Sequence, residues 1–472
     1  MKIIEIDKKA TPKSTLSGST TQLRKRMLEN TIPIYFIDWC LFSAIGMEEH
    51  IGNIQFICAI DTFDGLHPNI FVPKEFEYDH SLTCEQTLRA LLTNEEVIAH
   101  IKSQGSGKML TWLLDDEIEQ LAAELGLEIC LPPHAIRHQW DNKVNTNRLA
   151  ERAGVPCVPY ILSPIENYGH LRSISSDLGE HLVVQMPHGA GGETTFFISN
   201  EADFNRHCIN ITNGEEMKIM TRINCIGASL EACITKHGVV VTPLLFELIG
   251  IPEINIYKGG WSGDEFLPNA FPRHIIESAK EYAVKMGEAL RQVGYNGYFQ
   301  PDMLIDEDNK TLYLGEMNLR FSGFTPLINN TNLAHQDIPL LILHLAEWLK
   351  IDYQLNTTEL NNHWTDQSQL KPLSFLHVKN VLDSLAKPIR SGIYRMEADG
   401  TVVFDRPAIN PNALVGEQEL FWMGSAGRDS KIEKGDEIGA LFVRGRVTTD
   451  GKHLTDKAKV WLKGLGLPTL QS

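Results

Sequence analysis

Apolar runs of strand length alternate with helical patterns along most of the chain. IPIYFIDWCLFSAIG (32–46) and IQFICAID (54–61) are β-rich apolar runs, residues 84–102 turn helical, and KMLTWLL (108–114) is strand-like again. Asp115 to Leu125 follows as an acidic-started helix that stops at Gly126. This alternation predicts a small α/β domain with a largely parallel sheet over 1–140. A helix from Lys143 to Ala153 ends at Gly154, with Pro156 and Pro159 beyond it, and opens a second region. There, the buried strand LVVQM leads into a loop containing Gly189, Gly191 and Gly192 and then into the strand TTFFI. Glu201 to Ile211 and the amphipathic Phe271 to Val293 read as helices, whereas GGWSGDEFLP (259–268) has loop composition. GYFQPDMLID and KTLYLGEMN read as two strands joined at Glu307, Asp308 and Asn309. Residues 351–370, rich in Asn, Thr and Gln, read as a linker. From 371 to 472 the pattern is short strands and turns, closed by a helix from Thr455 to Leu465.

Composition narrows the class. With 472 residues and 43% hydrophobic content the chain carries two to four domains with real cores. Its 43 basic and 60 acidic residues give a net charge of −17, which argues against a general nucleic-acid or anionic-membrane binder. Eight cysteines without C-x-x-C spacing fit buried free thiols in a reducing compartment. No secretory apolar core opens the sequence, and IPLLILHLAEWL is short and interrupted by His344 and Glu347. A cytoplasmic protein is expected. Asp7 to Arg26 is polar with a basic end at Arg24, Lys25 and Arg26; a flexible arm is expected over an anion-binding patch.

The hairpin of residues 297–320 holds the strongest chemistry. Strand side chains repeat every second residue, so Asp302 on one strand and Glu316 and Asn318 on the other bring three hard oxygen ligands together. Carboxylates inside apolar strands need a cation, and Mg²⁺ bridging to a polyphosphate suits them, with Mn²⁺ as its substitute. Arg320, two residues on, adds a planar positive fork, while Glu307 and Asp308 read as a solvated turn. The glycines at 189–192 permit close backbone approach to an anion. His134, His138 and Asp141 have helical spacing for zinc, but no cysteine or second acid completes the set nearby, and a structural reading is preferred.

Asp302 followed by a hairpin and then Glu316-x-Asn318-x-Arg320 resembles the magnesium hairpin of the ATP-grasp superfamily, in its biotin-carboxylase-like branch. The resemblance covers about 110–330 well and the C-terminal region loosely. It implies α/β and α+β architecture: an N-terminal pre-ATP-grasp domain (1–140, with 1–30 flexible), an ATP-grasp domain (141–350) with a lid at about 155–225, a linker (351–370) and a β-rich domain (371–472). In such proteins Lys143 would contact ATP phosphates, the Gly189, Gly191 and Gly192 loop would cover them, and Met220, Thr221, Arg222 and Ile223 would pass the adenine. Glu231 matches a family acidic position near the site, although a plain strand glutamate fits equally. Gln185 departs from the pattern, since the family carries a second ATP-binding lysine there; positive charge must then come from elsewhere or ATP affinity must fall. His188 stands as a helper or a plain loop histidine, Trp261 and Asp264 as specificity candidates, and Arg390, Arg395, Arg444 and Arg446 more simply as surface arginines.

The implied activity is ATP- and Mg²⁺-dependent joining of a small-molecule carboxylate to an amine through an acyl phosphate, with Arg320 steadying the developing charge. A homodimer is compatible with it; nucleic acid and membrane are not implied. A biotin-type carboxylase is the runner-up, because Phe321 to Pro326 lacks the glutamate and histidine such enzymes place after E-M-N-x-R and no A-M-K-M carrier motif is present. A non-catalytic nucleotide sensor is kept open by Gln185 and Arg222.

Overall fold

The computed structural model describes residues 18–79, 81–189, 192, 194–384, 386–425 and 431–467. Three sheets organise them. The first is wholly parallel, in the order β3-β2-β1-β4-β5, from β1 (Ile34–Asp38), β2 (Ile54–Cys58), β3 (Ile70–Phe71), β4 (Lys108–Leu110) and β5 (Glu128–Ile129). All five residues of β1 are buried, as its unbroken apolar run requires of a central strand covered on both faces. Helices Cys84–Thr93, Glu95–Gln104 and Asp116–Glu124 follow, each started by a side-chain cap from Thr83, Asn94 or Asp115.

The second sheet is a small antiparallel one, β6-β9-β7-β8, from β6 (Tyr160–Ser163), β7 (Leu182–Gln185), β8 (Thr195–Ile198) and β9 (Met217–Thr221). With the helices Tyr168–Ile174 and Glu201–Ile211 it encloses its own apolar cluster around Leu171, Val184, Phe204 and Ile219.

The third sheet has twelve strands and runs without a break into the C-terminal region. It uses β10 (Cys225–Ser229), β11 (Ala232–Thr235), β12 (Gly238–Val241), β13 (Leu245–Ile249), β14 (Trp261–Phe266), β15 (Gly297–Asp306) and β16 (Leu312–Asn318). It continues through β17 (Leu373–Lys379), β18 (Gly392–Met396), β19 (Val402–Arg406), β20 (Glu419–Gly424) and β21 (Glu437–Val443). The seam is the antiparallel pairing of β14 with β17. One hydrophobic cluster correspondingly spans the parallel sheet, residues 321–373 and strands β17, β20 and β21.

Three stretches differ from the sequence reading. Gly18–Leu28 is a helix rather than an arm, because Leu23 and Met27, one turn apart, bury fully. Arg24 on that helix donates to the carbonyls of His335, Gln336 and Asp337; residues 7–17 lie outside the described residues. Residues 261–266, expected as loop, form β14. The linker contains the helix Thr357–Trp364, capped by Asn356 and seated on Leu360 and Trp364.

Candidate functional site

The helix Lys143–Ala153 starts at an Asn142 cap that accepts from the Val144 and Asn145 N–H groups and ends at Gly154 in the left-handed conformation. The cap fixes Lys143 at the first helical position, 8% exposed, where Nζ donates to the Gly189 carbonyl at 2.8 Å and pairs with Glu316 at 3.3 Å. Gly189 needs its glycine: at φ +142° an added Cβ would meet Thr194 Oγ1 at 2.1 Å.

The hairpin supplies the acids. Asp302 stands directly across from Glu316, and Gln300 across from Asn318, with a register shift after Asp302 that accommodates Gly315. One Asp302 oxygen accepts from Ser229 and Gln300; the other accepts from the Asn318 amide at 2.8 Å. Arg320 donates to the Asn318 carbonyl oxygen and lies over the Trp112 ring at 5.8 Å. Burial raises the Asp302 carboxyl above the carboxylate range and Glu316 raises it further; Glu247, close by, is raised for the same first reason. A cluster of buried hard oxygens whose ionised forms are penalised by burial fits a divalent cation of the Mg²⁺ type.

These groups line a cavity of about 360 Å³, together with Gln185, Gly189, Gly192, Met220, Thr221, Arg222, Ile223 and Trp261. The structure thus brings together Lys143, Gln185, Gly189, Gly192, residues 220–223 and Trp261 with Asp302, Glu316, Asn318 and Arg320. Gly191 lies outside the described residues. Glu231 does not reach the cavity: fully buried, it accepts from Tyr298, Ser322 and Thr325, and burial pushes its carboxyl up to about 7. Asp264 is also buried behind the wall, accepting from the Trp261 ring N–H at 3.1 Å. Arg390, Arg395, Arg444 and Arg446 do not line the cavity.

The zinc reading of His134, His138 and Asp141 finds no support. His134 bonds Asp116 at 2.9 Å and the His138 ring stacks on His188 at 4.3 Å. Among the described residues, the one set of three His, Cys, Asp or Glu side chains with ligand atoms all within 4.8 Å is Glu49, His50 and His335, and none of the three lines the cavity.

Sequence reasoning misses Trp112, Gln300, Glu247 and Lys218. Gln300 is recoverable, being two residues before Asp302 and so on the same strand face. Lys218 is the register partner of Gln185; fully buried, it donates to the Gly315 carbonyl at 2.6 Å, and burial lowers its amine to about 8. Only the pairing of β7 with β9 makes that neighbour visible.

A second cavity of about 460 Å³ lies against the N-terminal domain. Trp112, Lys143, Gly189, Glu316, Asn318 and Arg320 line both cavities.

No family model matches the chain. It is 25% identical over 260 residues to the [butirosin acyl-carrier protein]–L-glutamate ligase of Niallia circulans, a match covering 52% of this chain and 59% of that protein. Among solved structures it resembles biotin carboxylase from Campylobacter jejuni (TM-score 0.60, 14% identity, covering 93% of this chain and 92% of the other). It also resembles the biotin carboxylase domain of Hydrogenobacter thermophilus 2-oxoglutarate carboxylase, a dimer in complex with MgADP, ADP and bicarbonate (TM-score 0.58, 12% identity, 88% and 87% coverage). These likenesses, at 12 and 14% identity, show that the chain shares the fold of the biotin carboxylases.

Proposed function

We propose that the chain is an ATP-dependent carboxylate–amine ligase. The carrying observation is the shared wall: the same Lys143, Glu316, Asn318 and Arg320 face an apolar-sided cavity and a second, more polar one. A nucleotide in the first would present its terminal phosphate to a substrate in the second. Asp302, Glu316 and Asn318 would hold Mg²⁺, which supplies charge neutralisation on the phosphates when bound. Lys143, already tied to the Gly189 carbonyl, positions the phosphate chain. Arg320, braced by Asn318 and Trp112, steadies charge on the transferring group.

In the first step a substrate carboxylate oxygen bonds the γ-phosphorus as the bond to the β-phosphate oxygen breaks, the electron pair leaving with ADP. In the second an amine nitrogen bonds the acyl carbon, phosphate departs with its pair, and the amine proton passes to solvent. Positioning and charge carry this chemistry, and the site asks for no covalent protein nucleophile. The ligase activity of the N. circulans relative supports the same class.

Incubation with ATP, Mg²⁺ and pools of acids and amines is expected to release ADP and phosphate together with a condensed product, and Glu316→Gln is expected to abolish it. Phosphate release that depends on bicarbonate alone would move the assignment to a carboxylase; MgATP binding without turnover in any pool would move it to a sensor.

A further inference from the structure

The second cavity contains two polar groups that the protein itself does not satisfy. Arg137, 6% exposed, donates through Nη2 to the Leu114 carbonyl, while Nη1 is buried without a hydrogen-bond partner. Asp141 ends the same helix, His134–Trp140, its backbone N–H bonded to the Arg137 carbonyl. Its carboxylate makes no hydrogen bond or ion pair with any described residue. After burial, the strongest influences on it are the positive charges of Arg320 and Arg137, yet neither comes within 4 Å to pair with it. A recessed carboxylate left open costs free energy that a cationic group relieves, and a negative group on the same ligand meets the positive charges of Arg320 and Arg137.

Resting on the ligase reading, we propose that this cavity binds an α-amino acid, and that this amino acid is the acid that ATP activates. The adjacency of Asp141 to Arg320 and Arg137 matches an ammonium and a carboxylate on one carbon. A simple carboxylate leaves Asp141 unmatched and is repelled by it; a simple amine leaves the arginines unmatched. Arg320 lines both cavities, so a carboxylate held there faces the terminal phosphate. The ammonium, paired with Asp141, is kept out of the reaction, so the nucleophile is a second molecule.

Hydroxylamine serves as that nucleophile in the test. The amino-acid carboxylate oxygen bonds the γ-phosphorus as ADP leaves with the electron pair. Hydroxylamine nitrogen then bonds the acyl carbon, phosphate leaves with its pair, and the proton goes to water. With ATP, Mg²⁺ and hydroxylamine, hydroxamate is expected from α-amino acids and at least about tenfold less from the same acids lacking the amino group. Asp141→Asn is expected to raise KM for the amino acid by about tenfold or more and to erase the preference over the deaminated acid, with Asp141→Glu recovering part of it. MgATP affinity, measured by calorimetry, serves as the folding control for both variants. Hydroxamate formed equally well from deaminated acids, or a preference unchanged in Asp141→Asn, would overturn this inference and leave the ligase standing. No hydroxamate from any acid would overturn both.

Discussion

Lys218 and Gln185 stand opposite one another on paired strands, so their side chains project from the same face of the small antiparallel sheet. Where the resemblance leads one to expect a lysine on β7, the positive charge stands one strand over, a layer behind the cavity wall, holding the Gly315 carbonyl beside Glu316. Lys218→Met is expected to weaken MgATP binding about tenfold, or about 1.4 kcal/mol. Gln185→Lys added to that variant should recover affinity. Calorimetry checks both; wild-type affinity in Lys218→Met would place the compensating charge elsewhere. A second residue is pinned by burial. His344 accepts from the Tyr298 N–H through Nδ1 and bonds the Cys130 carbonyl through Nε2, which fixes the neutral ring. Burial lowers its pKa from 6.5 to about 4. A depressed folded value means that the unfolded chain binds the proton first. The histidine's contribution is therefore whole above pH 6.5 and drains away as pH falls towards 4. The stability gap between wild type and His344→Gln, read from urea midpoints, is expected to shrink by about 2 kcal/mol from pH 7.5 to pH 5. A constant gap would mean that the ring is not held neutral.

At the scale of elements, signals carried by neighbours in sequence are legible and those carried by neighbours in space are not. The helix Lys143–Ala153 has the bounds its sequence predicts because its stop, Gly154, and its start beside Asn142 are local chemistry. The hairpin strands follow from alternation, and the acids at 307 and 308 do sit in the turn, where Asp306 accepts from the Asp308 N–H. β14 reads as a loop in sequence because Gly259, Gly260 and Gly263 give its stretch loop composition. Gly263 is there for another reason: at φ +133° an added Cβ would meet the Phe375 carbonyl at 2.2 Å, so the strand can lie against β17 only with a glycine. Gly263→Ala is accordingly expected to destabilise by roughly 2 kcal/mol or more, a left-handed backbone and a backbone clash acting together. Gly105→Ala makes the control, since its φ is also positive (+104°) and an added Cβ meets nothing within 4 Å. Equal losses in thermal or urea melts would show that backbone conformation alone is at work and that the seam is not tight.

For the whole molecule, the composition suggests several domains, but cohesion is distributed differently. The small antiparallel sheet encloses its own cluster, whereas the parallel sheet, residues 321–373 and the C-terminal strands share one core. The β14–β17 seam is reinforced by Glu265 on β14, fully buried, which accepts from the backbone N–H groups of Val447 and Thr448 at 2.6 and 2.8 Å and from the Thr448 hydroxyl at 2.8 Å. The C-terminal region also reaches the connections on either side of β2: Ser391 donates to the Thr62 carbonyl, and Asn410 donates to Glu48 and Glu49. A chain ending at Leu370 would expose the β14 edge and strand a buried carboxylate whose donors all lie beyond the cut, an uncompensated burial costing several kcal/mol. Against a total stability of about 5–15 kcal/mol, that loss together with the apolar side chains that β17, β20 and β21 bring to the shared core is decisive. Limited proteolysis is therefore expected to nick the β6–β9 sheet region first and to release no stable 371–472 fragment, and the truncated chain is expected to fail to fold. Hydrogen exchange should show the amides of β6 to β9 opening at lower free energy than those of β14, β17 and β21, which should exchange together through global unfolding. Recovery of a folded, monomeric 1–370 product would mean that the seam is an ordinary domain contact, and the C-terminal strands would then be an appendage rather than part of the body that holds the site.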